Sequence, residues 1–269
     1  MKEYLKRLIE GCETPLMARN RMREYLQARL LACLQREGAM IPLAFHGGTA
    51  LRFLYALPRH SEGLDFALEG HAAAYDLQRY IQAVEREFQR EGYELETRVS
   101  EERSVHSAWL RFRGLLHEMG LSAQRDEAFS LKLEVDANPP RGAGLETTIV
   151  RRYVTLRLQH HDRPSLLAGK IHAVLQRPFT KGRDFYDLLW YLSDPAWPGP
   201  NLTLLNHALE QTGWQGPRIT DRNWREVLHL RVEELEWRNV REDVAPFLEQ
   251  AEDIELMTRE NLIQVLEQR

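Results

Sequence analysis

Two cysteines in 269 residues, Cys12 and Cys33, are too few for a disulfide scaffold. Both fall in a helical-looking stretch, where free, partly buried thiols of a reducing compartment are expected. Long hydrophobic runs are missing, and no segment approaches the roughly 20 apolar residues of a membrane span. The opening Met1-Lys2-Glu3-Tyr4-Leu5 lacks the charged-then-apolar order of a secretory signal. A cytoplasmic chain with no membrane attachment is therefore expected. Excess charge of one sign is absent too: the net charge is -4, which argues against a generic nucleic-acid binder. No Walker-type lysine follows the Gly47-Gly48 pair, which argues against a P-loop NTPase. Nothing completes a tetrahedral ligand set around His160-His161-Asp162, so that stretch reads as a polar loop.

What is present is a composition of 43% hydrophobic and 28% charged residues, that of a globular protein with a real core. The length suits two modest domains, or one with a large appendage. Charge is unevenly spread. Between Arg141 and Arg183 nine basic residues face only Glu146 and Asp162, whereas Arg231 to Leu256 holds nine acids against three arginines. That asymmetry suggests a polyanion-facing side and a separate solvated or partner-facing side.

Residues 1–37 read as helix, with Met22, Leu26, Leu30 and Leu34 recurring every four residues. Short strands are expected at 41–45 and 64–68, with a short helix from Thr49 to Ala56 between them. Leu77, Ile81, Val84 and Phe88 share one helical face, and Gly92 sits where a helix would end. Strand patterns follow at 93–99, 108–113, 129–137 and 147–158. Beyond Pro164 helices are expected at 165–177, 183–193, 202–212, 222–237, 242–250 and 254–268. The expected organisation is N-terminal helices (1–37), an α/β core (38–160) and a helical C-terminal domain (161–269).

Chemistry concentrates at two places in that core. In Phe45-His46-Gly47-Gly48-Thr49-Ala50, a strand runs into a glycine turn and a helix start bearing a hydroxyl. Glycines let backbone N–H groups approach a phosphate, and a helix N-terminus favours negative charge. The next strand brings Asp65, a carboxylate able to hold magnesium. His46 adjoins the glycines, although a strand-end histidine satisfied by backbone is the ordinary reading. In Leu131-Lys132-Leu133-Glu134-Val135-Asp136, alternation puts Lys132, Glu134 and Asp136 on one face. Either this is an edge strand with a wet face, or Glu134 joins Asp65 around a metal, with Asp136 in reserve. Gly63 shares a strand face with Asp65 and carries no acid, while Glu62 points the other way. Further on, Lys170 lies between Leu167 and Ile171, and Asp184 and Asp187 share a helix face. Taken alone, these read as a surface lysine and a helix-capping acidic pair.

Taken in order, His46-Gly47-Gly48-Thr49-Ala50-Leu51-Arg52, Arg59-x-Ser61-Glu62-x-Leu64-Asp65-Phe66, Lys132-x-Glu134 and Lys170…Arg183-Asp184-x-x-Asp187 resemble the AbiEii/AbiGii nucleotidyltransferase toxins. These are the toxin halves of bacterial toxin–antitoxin pairs linked to abortive phage infection. The resemblance spans roughly residues 40–195. It implies an α+β fold with a polymerase-β-like nucleotidyltransferase core and a small mixed sheet. It implies Asp65, Glu134, Lys170 and Asp184 as catalytic residues, and Asp65, Glu134 and Asp136 around Mg2+. Gly47, Gly48, Thr49, Arg59, Ser61, Lys170, Arg183 and Asp187 would contact the NTP. The implied acceptor is an RNA such as tRNA, and the implied partner is a cognate antitoxin. Family members usually carry an acid where Gly63 stands, so transfer attenuated by that glycine is expected. The alternative is a catalytically inactive nucleotide-binding or sensing module that works through a partner protein.

Overall fold

The computed structural model of the chain describes residues 2–70 and 72–268. They form two compact units. Unit 1 comprises Met1–Leu54, His60–Pro139 and Thr147–His160, and unit 2 comprises Tyr55–Arg59, Pro140–Glu146 and His161–Arg269.

A seven-stranded sheet frames unit 1. Its strands are β1 (Leu43–His46), β2 (Leu64–Leu68), β3 (Glu94–Ser100), β4 (Val105–Arg113), β5 (Phe129–Asp136), β6 (Leu145–Arg152) and β7 (Val154–His161). They lie in the order β3-β4-β5-β2-β1-β7-β6. The sheet is mixed, as expected for an α+β fold: β2 pairs β5 and β1 pairs β7 in parallel, while β1–β2, β3–β4 and β4–β5 are antiparallel. Helices α1 (Lys2–Ile9), α2 (Pro15–Arg36), α3 (Gly47–Tyr55), α4 (Leu77–Arg90) and α5 (Leu115–Glu118) complete this half of the chain. Two of them start on side-chain caps that satisfy otherwise orphaned N–H groups. The Thr14 hydroxyl accepts the Met17 N–H ahead of α2, and Asp76 accepts the Arg79 N–H ahead of α4.

The two faces of the sheet differ. Phe129, Leu131, Leu133 and Val135 of β5, Ala108, Leu110 and Phe112 of β4, and Phe45 and Phe66 are buried on one side, where the core lies. The alternate residues, Ser130, Lys132, Glu134 and Asp136 on β5 and Ser107, Trp109 and Arg111 on β4, are half-buried or exposed. This is the period-two split of a sheet with one packed and one open face.

Unit 2 is helical: α6 (Arg163–Gln176), α7 (Gly182–Leu192), α8 (Leu202–Gln211), α9 (Trp224–Glu233), α10 (Trp237–Val244) and α11 (Arg259–Glu267), with 3₁₀ turns at Ala245–Phe247 and Ala251–Leu256. Asp162 caps α6 by accepting the Ser165 N–H at 2.9 Å.

Several expected elements divide. The stretch 147–158 is not one strand but the facing ends of β6 and β7, turned at Tyr153 with φ +60°. No glycine, proline or asparagine announces that turn. Its left-handed backbone is unusual for a bulky residue, and the tyrosine ring packs edge-on against Tyr25 at 5.7 Å. The first 37 residues break at Gly11, whose φ is +81°. The helix expected over 222–237 is split between α9 and α10, and the one over 242–250 shortens to a 3₁₀ turn at Pro246. His160 and His161 are buried at the end of β7 rather than set in a polar loop, and His160 Nε2 lies 2.8 Å from the Thr148 hydroxyl.

Candidate active site

Strand register brings Asp65 and Glu134 together. They are Cα partners on the parallel pair β2–β5, on strands about 4.8 Å apart, with both side chains on the open face. His46 is the partner of Asp65 on β1, and Ser107 is the partner of Glu134 on β4. One polar row therefore crosses four strands: His46, Asp65, Glu134, Ser107. Glu134 Oε1 accepts from Lys132 Nζ at 2.7 Å.

The glycine corner closes on this row from the β1 side. Gly47 has φ +77°, a backbone that L side chains rarely adopt. A Cβ there would also lie 2.8 Å from Asp65 Oδ2, so only glycine admits the carboxylate so close to the start of α3. The first turn of α3 holds no acidic residue that would compete for its N–H groups. Gly48 is buried in that turn. Thr49 is fully buried, and its hydroxyl donates to the Gly63 carbonyl at 2.5 Å. What Thr49 can offer an anion is thus its backbone N–H, while its side chain fastens α3 to the loop entering β2. Gln27 fastens the same loop by donating to the Ser61 and Gly63 carbonyls at 3.1 and 3.4 Å. Ser61 itself is half-buried in this loop.

Two expectations on the carboxylates change. Asp136 is on the face of Glu134, but register sets it opposite Ala67, one row farther from the glycine corner than Asp65. It accepts the Asn138 N–H at 3.0 Å, and burial raises its carboxyl above the usual range. It therefore lies off the row that Asp65 and Glu134 share. Gly63 itself abuts β5, and a Cβ added there would lie 3.0 Å from the Lys132 carbonyl oxygen. A side chain at 63 requires β5 to give by a few tenths of an ångström.

The donor set fits magnesium in a limited way. Both groups are hard oxygen donors, and Mg2+ is commonly held by one or two carboxylates together with substrate phosphates. Among the described residues no group of three or more His, Cys, Asp or Glu gathers to hold an ion. Two carboxylates suit one ion shared with a triphosphate better than a preformed two-ion centre.

The remaining motif residues lie in unit 2, largely committed to one another. Arg59 and Asp187, expected at the nucleotide, are 2% and 0% exposed and form a bidentate pair, Nε–Oδ1 2.6 Å and Nη2–Oδ2 2.5 Å. A ligand cannot reach either without displacing the core of that unit. Lys170 is buried too, 2.9 Å from Asp184 Oδ1 and 2.6 Å from Asp187 Oδ2. Burial alone would lower its ammonium, but the two carboxylates hold it above its ordinary value. Burial likewise opposes ionisation of Asp184, yet Lys170 and Arg177 prevail and bring its carboxyl down to about 2. Arg183 lies over the Phe247 ring at 4.0 Å, and its backbone N–H donates to Asp243 at 3.2 Å.

The sequence pattern did not single out Lys181. It is half-buried, and burial, with Arg183 next, lowers its ammonium. The basic stretch from Arg141 to Arg183 divides: Arg141, Arg151 and Arg157 are exposed, while other members are engaged with partners. Arg152 pairs with Glu24, Arg163 stacks on Tyr55 and Trp197, and Lys170, Arg177 and Arg183 have the partners just given. Cys33 is buried in α2, and burial, with Glu87 adding, pushes its thiol up to about 12, too high for a nucleophile.

No helix among the described residues is long and apolar enough to cross a membrane. No curated protein matches the chain. Among solved structures it is similar to MenT4, a nucleotidyltransferase toxin from Mycobacterium tuberculosis, at 15% identity and a TM-score of 0.59, covering 100% of this chain and 90% of that one. It is also similar to JHP933 from Helicobacter pylori, at 20% identity and a TM-score of 0.55, covering 91% and 88%. These likenesses show a shared fold. The family model for the nucleotidyl transferase AbiEii toxin of type IV toxin–antitoxin systems matches residues 29–259, and the chain belongs to that family.

Proposed function

We propose that this nucleotidyltransferase toxin uses the open sheet face of unit 1 to transfer a nucleotide from an NTP, with Mg2+, to a hydroxyl of an RNA acceptor in the cytoplasm. A cognate antitoxin is the protein partner this reading requires. The observation that carries it is the register pairing of Asp65 with Glu134 beside the Gly47 corner. When bound, the ion would neutralise charge on the triphosphate and polarise its phosphorus–oxygen bonds. The backbone N–H groups of Gly48 and Thr49, at the positive end of α3, favour the phosphates. Asp65 and Glu134 would hold that ion, because two carboxylates repel a phosphate unless a cation lies between them. The acceptor oxygen forms a bond to the α-phosphorus, the bond to the β-phosphate bridging oxygen breaks, and pyrophosphate leaves. The acceptor proton passes to solvent.

With glycine at 63, the site has two carboxylates where three would hold two ions. The transfer rate is expected to be attenuated, while NTP binding at the glycine corner persists. The test is incubation of α-labelled NTPs with total RNA and Mg2+. The intact chain labels RNA and releases pyrophosphate. Asp65→Asn lowers labelling by roughly 10²- to 10⁴-fold, the several kcal/mol such electrostatic stabilisation supplies. Gly63→Asp labels faster than Gly63→Ala, the comparison that removes the strain against β5. NTP binding without pyrophosphate release by any of these proteins would instead establish a nucleotide-binding module.

A further inference from the structure

One row along the open face from Asp65 and Glu134 lies a second cross-strand row, which the reading above leaves unused. Gly63 precedes Leu64, the partner of Leu133, so the row begins at Gly63 and Lys132 and continues through Trp109 of β4 to Arg98 of β3. Trp109 is 43% exposed, an unusual place for the largest apolar side chain. Lys132 Nζ lies 5.4 Å from the centre of its ring and 2.7 Å from Glu134. Arg98 is exposed. Glu96 and Arg111 occupy the next row, and Arg113 is 2.6 Å from Glu96. The row thus carries two cations beside an exposed aromatic ring, over which Lys132 lies, and, because residue 63 is glycine, no anion.

We propose that Arg98, Trp109 and Lys132 form the platform for the acceptor: a nucleobase of single-stranded nucleic acid stacks on Trp109, and its phosphates meet Arg98 and Lys132. Stacking on an aromatic ring with cations along the backbone is the general chemistry by which single strands are held. The inference rests on the transfer reading for its direction. The pyrophosphate leaves toward the glycine corner on the β1 side of Asp65, so an in-line attacking hydroxyl enters from the opposite side. In the sheet order, β5 and then β4 lie on that side. Trp109 stands two strands from β2, about 10 Å across the sheet, within the reach of a nucleotide whose hydroxyl approaches Glu134. Trp109 is here a positioning residue for the acceptor and does not touch the reacting atoms.

The test is fluorescence anisotropy of a short fluorescein-labelled single-stranded oligoribonucleotide with the full chain, in the absence of NTP and divalent metal. Because no transfer is measured, failure here is separable from failure of the transfer reading. Trp109→Ala is expected to weaken binding by about tenfold or more, and Trp109→Phe to recover most of it. Phe179→Ala, which removes a comparably exposed ring in unit 2, is expected to bind as the intact chain does. Arg98→Gln and Lys132→Met should each make the salt dependence shallower by about 0.7 in the log–log slope. A single-stranded deoxyoligonucleotide bound equally well and with equal sensitivity to Trp109 supports the platform, since stacking ignores the 2′-hydroxyl. Equal binding by the intact chain and Trp109→Ala would overturn the proposal and leave the exposed ring to a protein partner. Equal losses in Trp109→Ala and Phe179→Ala would overturn it as well.

Discussion

The carboxylates of Asp65 and Glu134 and those of Asp184 and Asp187 stand in motifs of equal prominence, yet the two units treat them in opposite ways. In unit 1 the pair shares a row on an open sheet face, where Lys132 Nζ lies 2.7 Å from Glu134 Oε1. In unit 2 the pair is buried with Arg59 and Lys170, and both Asp187 oxygens are engaged. Carboxylates that can take up an ion must leave lone pairs within reach of solvent. Carboxylates buried among cations hold an architecture together and are costly to disturb. The difference separates a site from a keystone, although both consist of charged residues at regular spacing.

The comparison breaks most visibly at the keystone. Asp187→Asn leaves the buried Arg59 guanidinium and Lys170 short of charge, and is expected to destabilise unit 2 by about 3–5 kcal/mol in denaturant unfolding. Replacing both partners, Arg59→Leu with Asp187→Leu, should restore a large part of that loss, because no uncompensated charge remains buried. A double variant as unstable as Asp187→Asn would show that the pair fixes geometry as well as charge.

A smaller effect sharpens the same contrast in acid. The Asp184 carboxyl is depressed from an ordinary 3.8 to about 2, so its contribution is present above the unfolded value and is lost as pH falls from about 4 toward 2. Unfolding free energy measured over that window should fall more steeply for the intact chain than for Asp184→Asn. Parallel curves would mean that Asp184 is not held ionised by Lys170 and Arg177.

The first of these two regions was readable from residue pattern, the second only in part. Alternation in Leu131-Lys132-Leu133-Glu134 determines which face Glu134 occupies, and β2 falls at the expected 64–68. The Gly47 conformation follows from the need of a strand-to-helix corner for positive φ. Pairing partners distant in sequence leave no such signature. Nothing local in Arg59 announces a bond to Asp187, 128 residues away. For the same reason a run of basic residues reads as one surface although Arg152 and Lys170 within it pair with buried acids. Tyr153 turns a chain whose residues all favour strand, and Trp109, one aromatic in a strand, is indistinguishable in sequence from a core residue until the open face is known.

The claim on which the account depends is that Asp65 and Glu134 share one divalent cation. Mn2+ binding followed by electron paramagnetic resonance in the presence of NTP tests it directly. The account predicts a bound ion in the intact chain, its loss in Asp65→Asn and in Glu134→Gln, and its retention in Asp184→Asn. Retention of the ion in Asp65→Asn at undiminished affinity would contradict it.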